Sequence, residues 1–281
     1  MTDENQRRIA LAERIGELYE NRAGTRAMLL TGSVARGEAD ESSDIDFSIY
    51  YDELPPLEIL KEVRGIVGGS EYVMFFGSHE EGGIVESYHI DGIRHDFGHT
   101  SIAEWEKNMN EVLVDHKIDS PMQKALSGLL DGRALFGAGL IGNWKERAAA
   151  YPDALAEAMV RENMKFRPAT VIDRYAVRRN DTLFLHELYI ETINRILGTM
   201  LGLNRIYHWG EYKRIDRFIG EMSIAPADLA DRIRRVLRGE PEASLRALDR
   251  LVEETFDLID RHMPHIDTTE RRNRYLLPFS M

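Results

Sequence analysis

The sequence predicts an α+β protein, a small mixed-sheet domain followed by an all-helical one. Three observations lead there. Residues 44–51 alternate strictly between polar and apolar, the period of a half-buried strand. Asp91-Gly92 separates two β-rich runs, the mark of a tight hairpin. Beyond residue 100 the apolar spacing turns helical, punctuated by capping residues.

The elements follow in order. Ile9, Leu11, Ile15 and Leu18 form one stripe of a helix over 6–20. Residues 27–30 are a short apolar run ending in Thr31-Gly32-Ser33, a buried strand entering a tight turn. On the strand of 44–51, Asp44, Asp46 and Ser48 face one way and Ile45, Phe47 and Ile49 the other. Pro55-Pro56 opens a helix to Val67, and 72–76 is a further strand. The hairpin strands are 84–90 and 93–97. Ser101 with Glu104 reads as a capping box before a helix of about 15 residues. Helices are then expected over 121–130, 153–167, 181–201, 225–237 and 241–262, with Pro121, Pro152, Pro226 and Pro241 near their first turns. The expected division is 1–130 and 131–281, with a basic, aromatic tail from Thr268 to Met281 that docks or is disordered.

Composition narrows the chemistry. The 281 residues contain no cysteine, which removes thiol nucleophiles, disulfides and Cys-ligated metals. Lys and Arg number 36 against 48 Asp and Glu, a net charge of −12. An acidic surface repels phosphate backbones, so nucleic acid is an unfavoured partner, and a cationic or neutral small molecule or a protein is favoured. No apolar run has the length of a membrane span, and the polar start MTDENQRRIA lacks the apolar stretch of a signal peptide. No membrane association is expected, and the expected compartment is the cytoplasm, where nucleoside triphosphates are available. The oligomeric state is not legible.

The chemistry sits in residues 31–50. Gly32 permits close backbone approach, and the amides of such a turn, with the Ser33 hydroxyl, can cradle phosphate oxygens. Arg36 adds a cation beside it. Asp44 and Asp46, two apart on a strand, put both carboxylates on one face. Side-by-side carboxylates repel unless a cation sits between them, and all-oxygen ligation favours Mg²⁺ or Mn²⁺. A phosphate cradle beside such a pair describes a nucleoside-triphosphate site for phosphoryl or nucleotidyl transfer.

Gly32-Ser33-Val34-Ala35-Arg36-Gly37 followed by Ser43-Asp44-Ile45-Asp46-Phe47 resembles the signature of the nucleotidyltransferase superfamily, to which DNA polymerase beta and the aminoglycoside and lincosamide nucleotidyltransferases belong. The resemblance covers about the first 100 residues. It implies a third carboxylate on a later strand, matched by Asp96, with Asp91 reserved for the turn. It also implies catalysis and metal binding by Asp44, Asp46 and Asp96, and nucleotide binding by Gly32, Ser33, Arg36, Asp44 and Asp46. More loosely, residues 178–213 look like the helical partner domain of streptomycin/spectinomycin-type adenylyltransferases, which makes Lys213 a phosphate-contacting residue; a surface lysine is the alternative.

The implied reaction is attack by an acceptor hydroxyl on the α-phosphate of ATP, with pyrophosphate leaving. A general base is sought in Asp96 itself or, in the helical part, in Asp181, Glu187 or Glu191. Glu187 and Glu191 are four apart on what reads as a polar face opposite Ile190, Ile193 and Leu197; Asp181 equally fits a helix cap. The expected acceptor is a small hydroxylated molecule. An aminoglycoside-like polycation comes first, which would make the protein an antibiotic-resistance enzyme. The alternatives are AMP transfer to a protein or RNA, as in toxin–antitoxin systems, and a nucleotide-binding regulatory module without turnover.

Other signals carry less. Residues 137–142 match G-x-G-x-x-G but lack a βαβ context, so a flexible turn is expected. His95 and His99 share a face with Phe97 and point to the core. His262 and His265 fit carbonyl-capping positions at a helix end. Tyr207, Trp209 and Tyr212 either stack on a ligand ring or pack between helices.

Overall fold

The computed structural model describes residues 2–20, 22 and 24–276. The last five residues of the basic tail lie outside them. The chain divides into two compact units, residues 1–115 with 120–150, and residues 116–119 with 151–281.

In the first unit, α1 (Asp3–Glu20) leads into β1 (Thr25–Thr31), the short α2 (Gly32–Ala35), β2 (Ile45–Tyr51) and α3 (Leu57–Ile66). Then come β3 (Met74–Ser78), β4 (Gly83–Ile90), β5 (Ile93–Ser101), α4 (Ile102–Leu113), α5 (Met122–Asp131), β6 (Arg133–Phe136) and α6 (Ala138–Ala149). The sheet runs β3-β4-β5-β2-β1-β6. Only β2 and β5 pair in parallel, so the sheet is mixed. Asp91 and Gly92, both at positive φ, turn β4 into β5 as the hairpin signal required. Ser101 caps α4 by accepting from the Glu104 amide at 3.2 Å.

Strand alternation sorts the residues onto two faces. Ile45, Phe47, Ile49 and Tyr51 join Met28, Leu30, Tyr88 and Phe97 in a core covered by Leu11, Ile15 and Tyr19 of α1 and Val63 of α3. Burying these side chains is the main driving force for the unit. His95 and His99 lie in this core as expected; burial pushes the His95 imidazole down to about 4. Asp46, Ser48 and Tyr50 face the other way. There Tyr50 packs edge-on against Trp105 of α4 and Trp144 of α6. This face is therefore closed at the far end of β2 and carries carboxylates at its start.

Two details depart from the sequence pattern. β6 and α6 belong to the sheet unit, although the division at residue 130 assigned them to the helical part. Four residues, Arg133–Phe136, are too few to show a period of two, and only pairing with β1 makes them a strand. The Gly137–Gly142 run is the start of α6 and not a flexible turn, with left-handed Gly137 at its N-cap. A strand precedes it, but one paired antiparallel to β1, so no dinucleotide-type βαβ unit exists there.

The second unit consists of α7 (Asp153–Asn163), α8 (Ala169–Ile172), a π turn (Asp173–Val177), α9 (Thr182–Asn204), α10 (Ile215–Gly220), α11 (Leu229–Arg238), α12 (Pro241–His262) and α13 (Thr269–Leu276). α9 buries Leu185, Ile193, Ile196, Leu197, Met200 and Leu201. Gly202 lets α7 approach closely, because a β-carbon there would press on the Ala156 carbonyl and Val160. Asp181 caps α9 by accepting from the Phe184 amide at 3.2 Å, its expected alternative role. Tyr207 and Trp209 are buried, with Trp209 stacked on Phe218 at 3.8 Å between centroids, so these rings pack the unit. His265 pairs with Glu157 at 3.0 Å instead of capping carbonyls. No helix among the described residues is long and apolar enough to cross a membrane.

Candidate active site

The site is assembled where β1, β2 and β5 start or end side by side. Antiparallel β1 sets Thr31 opposite Asp46, and parallel β5 sets Asp96 opposite Asp46. Asp44, one residue before β2, completes the group. One carboxylate oxygen from each of Asp44, Asp46 and Asp96 lies within 4.8 Å of the others. Among the described residues this is the sole such acidic or histidine cluster.

Gly32 makes room for it. Its φ is +67°, a left-handed backbone that glycine adopts without strain. A β-carbon at Gly32 would collide with the Asp46 carboxylate. The glycine of the motif is thus fixed twice, by backbone angle and by the acid beside it. Ser33 follows on α2, whose first residues close the turn through the Arg36 amide to the Gly32 carbonyl at 3.4 Å.

Asp44 is delivered by a loop that α1 holds. The buried Arg8 guanidinium donates to the carbonyls of Ser43 at 3.0 Å and Glu41 at 3.1 Å, and also pairs with Glu4. Asn5 accepts from the Ala39 amide at 3.1 Å, and Asp40 accepts from the Ser42 amide at 3.0 Å and the Ser43 hydroxyl at 3.1 Å. Sequence reasoning read α1 only as a packing stripe and missed this role. Polar residues on an amphipathic helix carry no signal of which loop they meet.

Electrostatics mark Asp46. Its carboxyl is pushed up to about 6, first by burial and then by the charges of Asp44 and Asp96. Lys124 of α5 and Arg36 pull in the opposite direction. The Arg36 guanidinium is held by Glu38 at 3.1 Å and lies 3.9 Å from Asp131. Lys124, Asp131, Ser87 and Arg94 were not singled out from sequence. The last two engage Asp96 directly: Arg94 forks onto both of its oxygens at 2.9 and 3.1 Å, and the Ser87 hydroxyl donates to one at 2.5 Å.

The donor set fits a hard divalent cation. It is all oxygen, half-buried and convergent, and it holds a carboxylate whose charge is disfavoured until a cation neutralises it. Mg²⁺ and Mn²⁺ are the ions of that class.

Glu187, Glu191 and Lys213, the helical-unit candidates, belong to no such convergent group among the described residues. Glu187 is solvent-exposed on α9. Glu191 is engaged by Arg167 at 3.1 Å and lies 3.7 Å from Arg195. Ile190 is itself 44% exposed, so the expected apolar face opposite the two acids is narrower than the spacing implied. Lys213 is 83% exposed in its side chain and pairs with Glu211 at 2.7 Å.

Comparison with known proteins agrees with the first unit. No curated protein matches the chain. A nucleotidyltransferase-like protein from Exiguobacterium sibiricum 255-15 is a structural neighbour, with 10% identity, 94% of this chain and 86% of that chain covered, and a TM-score of 0.40. That likeness is too low to carry an argument. Residues 10–125, which hold the glycine turn, the three carboxylates and the strands that align them, match the family model of the nucleotidyltransferase domain.

Proposed function

We propose that this chain is a metal-dependent nucleotidyltransferase moving AMP from ATP to a hydroxyl of a small acceptor. The observation that carries the reading is the convergence of Asp44, Asp46 and Asp96 beside the Gly32-Ser33 turn. These three carboxylates would hold Mg²⁺ or Mn²⁺. When bound, the cation supplies Lewis-acid neutralisation of phosphate charge. The turn amides and the Ser33 hydroxyl would orient the triphosphate, with Arg36 as fixed positive charge. The acceptor oxygen forms a bond to the α-phosphorus while the bond from that phosphorus to the bridging oxygen breaks. Pyrophosphate leaves with the electron pair, and the hydroxyl proton passes to a base, Asp96 or Glu187. Lys213 is a further proposed nucleotide contact. The net charge of −12 favours a polycationic, aminoglycoside-like acceptor, and dependence on ATP favours the cytoplasm.

The test is pyrophosphate release with ATP and Mg²⁺ across aminoglycosides, aminocyclitols and lincosamides, with Asp46→Asn as control. Acceptor-dependent release that vanishes in the variant supports the reading. Release that persists in Asp46→Asn overturns the mechanism. Metal-dependent ATP binding without release across the panel overturns the small acceptor and points to a protein or RNA. Absence of nucleotide binding overturns the transferase reading altogether.

A further inference from the structure

Arg94, Ser87 and Asp96 share one sheet face. Ser87 is the β4 register partner of Asp96, and Arg94 precedes it by two residues on β5. Arg94 Nε donates to Asp96 Oδ1 at 2.9 Å and Nη2 to Oδ2 at 3.1 Å. The same Nε also reaches the Ser87 hydroxyl at 2.9 Å, and that hydroxyl donates to Asp96 Oδ1 at 2.5 Å. A two-point fork fixes the plane of a carboxylate as well as its position. The three carboxylates of the site are therefore not equivalent. Asp96 has donors on both oxygens from a guanidinium that cannot lose its proton. No such fork falls on Asp44 or Asp46 among the described residues.

We propose that Arg94 and Ser87 are positioning residues that set Asp96 apart from the Asp44–Asp46 pair. Arg94 balances one of the three negative charges and locks the Asp96 plane. Asp44 and Asp46 then form the tight cation site, and Asp96 is a weak ligand held ready for the acceptor step. The inference rests on the nucleotidyltransferase reading of this site and deepens it. A lysine at 94 would keep the charge but lose the fork, so charge and geometry are separable.

The experiment is a Mn²⁺ titration of the whole chain by electron paramagnetic resonance, on wild type, Arg94→Ala, Arg94→Lys and Ser87→Ala. Thermal unfolding in EDTA checks that each variant is folded. Wild type is expected to show one tight Mn²⁺. Arg94→Ala is expected to bind a second Mn²⁺ at least tenfold more tightly than wild type does. If wild type turns over, its kcat falls with little change in KM for ATP. Arg94→Lys keeps the wild-type stoichiometry but recovers only part of kcat. Ser87→Ala shows a smaller fall in kcat. Unchanged Mn²⁺ binding in Arg94→Ala overturns the clamp, whatever the activity. A changed titration with no nucleotidyl transfer in wild type leaves the clamp and overturns the proposed reaction. Absence of Mn²⁺ binding by wild type overturns both.

Discussion

Gly32 and Asp46 occupy mutually exclusive space: a β-carbon on the first would stand inside the carboxylate of the second. Gly32→Ala forces either the strained left-handed turn to open or Asp46 to leave the triad. Strain of this kind costs about 1–3 kcal/mol. The expected outcome is a fall of that size in unfolding free energy by denaturant titration, together with loss of Mn²⁺-induced stabilisation. A variant with wild-type stability and an intact Mn²⁺ response would contradict the geometry.

Asp46 makes the metal-free protein pH-sensitive. Its carboxyl sits at about 6 when folded, above the ordinary carboxylate value. A raised acid favours the protonated fold, so its contribution is fully present below about pH 4 and is lost as pH rises through 6. The loss is about 3 kcal/mol at most. His95, held down at about 4 by burial, works the other way: its contribution is lost as pH falls below about 6.5. The two oppose each other in the same window, so the Asp46 effect is read as a difference. In EDTA at pH 7.5, Asp46→Asn should have a higher melting temperature than wild type, with the gap closing toward pH 4. Saturating Mn²⁺ should reverse the order at pH 7.5. An equal or lower melting temperature for Asp46→Asn in EDTA would contradict the electrostatic account.

Arg8 acts on the site from a distance. It is buried, and its donors tie the loop carbonyls of Glu41 and Ser43 to α1. Arg8→Met keeps much of the apolar stem but leaves two carbonyls and Glu4 without their donor, a cost of about 1–3 kcal/mol. The expected result is a lower melting temperature and weaker Mn²⁺ affinity through Asp44. Destabilisation with unchanged Mn²⁺ affinity would show that the loop does not depend on Arg8 to present Asp44.

The opposite face of the sheet holds a buried acid. Glu86 is fully buried, its Oε1 lies 3.3 Å from His99 Nε2, and the other His99 ring nitrogen is 2.8 Å from the Tyr51 hydroxyl. Removing one partner of a buried polar pair leaves the other uncompensated. His99→Leu should cost about 1–3 kcal/mol, and His99→Leu with Glu86→Leu should cost less than the sum of the two single changes. Denaturant unfolding of the two single variants and the double measures this, and simple additivity would show the pair to be uncoupled.

Much of the fold was written in local pattern. The alternation over 44–51 fixed which side of β2 would carry Asp46, because a strand has a period of two whatever its neighbours are. The Asp91-Gly92 turn and the Ser101 cap are likewise local chemistry and appear where the spacing put them. The Gly32-Ser33 and Asp44–Asp46 spacing marked a site before any strand was paired. Tertiary structure alone decided the rest. Asp96 faces Asp46 only because β5 pairs in parallel with β2, a contact between residues fifty apart. Arg133–Phe136 is a strand only because β1 offers it an edge. Arg8, Ser87, Arg94 and Lys124 reach the triad by packing and register, and a polar residue's sequence position does not encode which distant group it will meet. Sequence sets the period of each element and the conformations its turns allow. Which elements become neighbours is settled by burial of the shared core, and that burial brings the three carboxylates together.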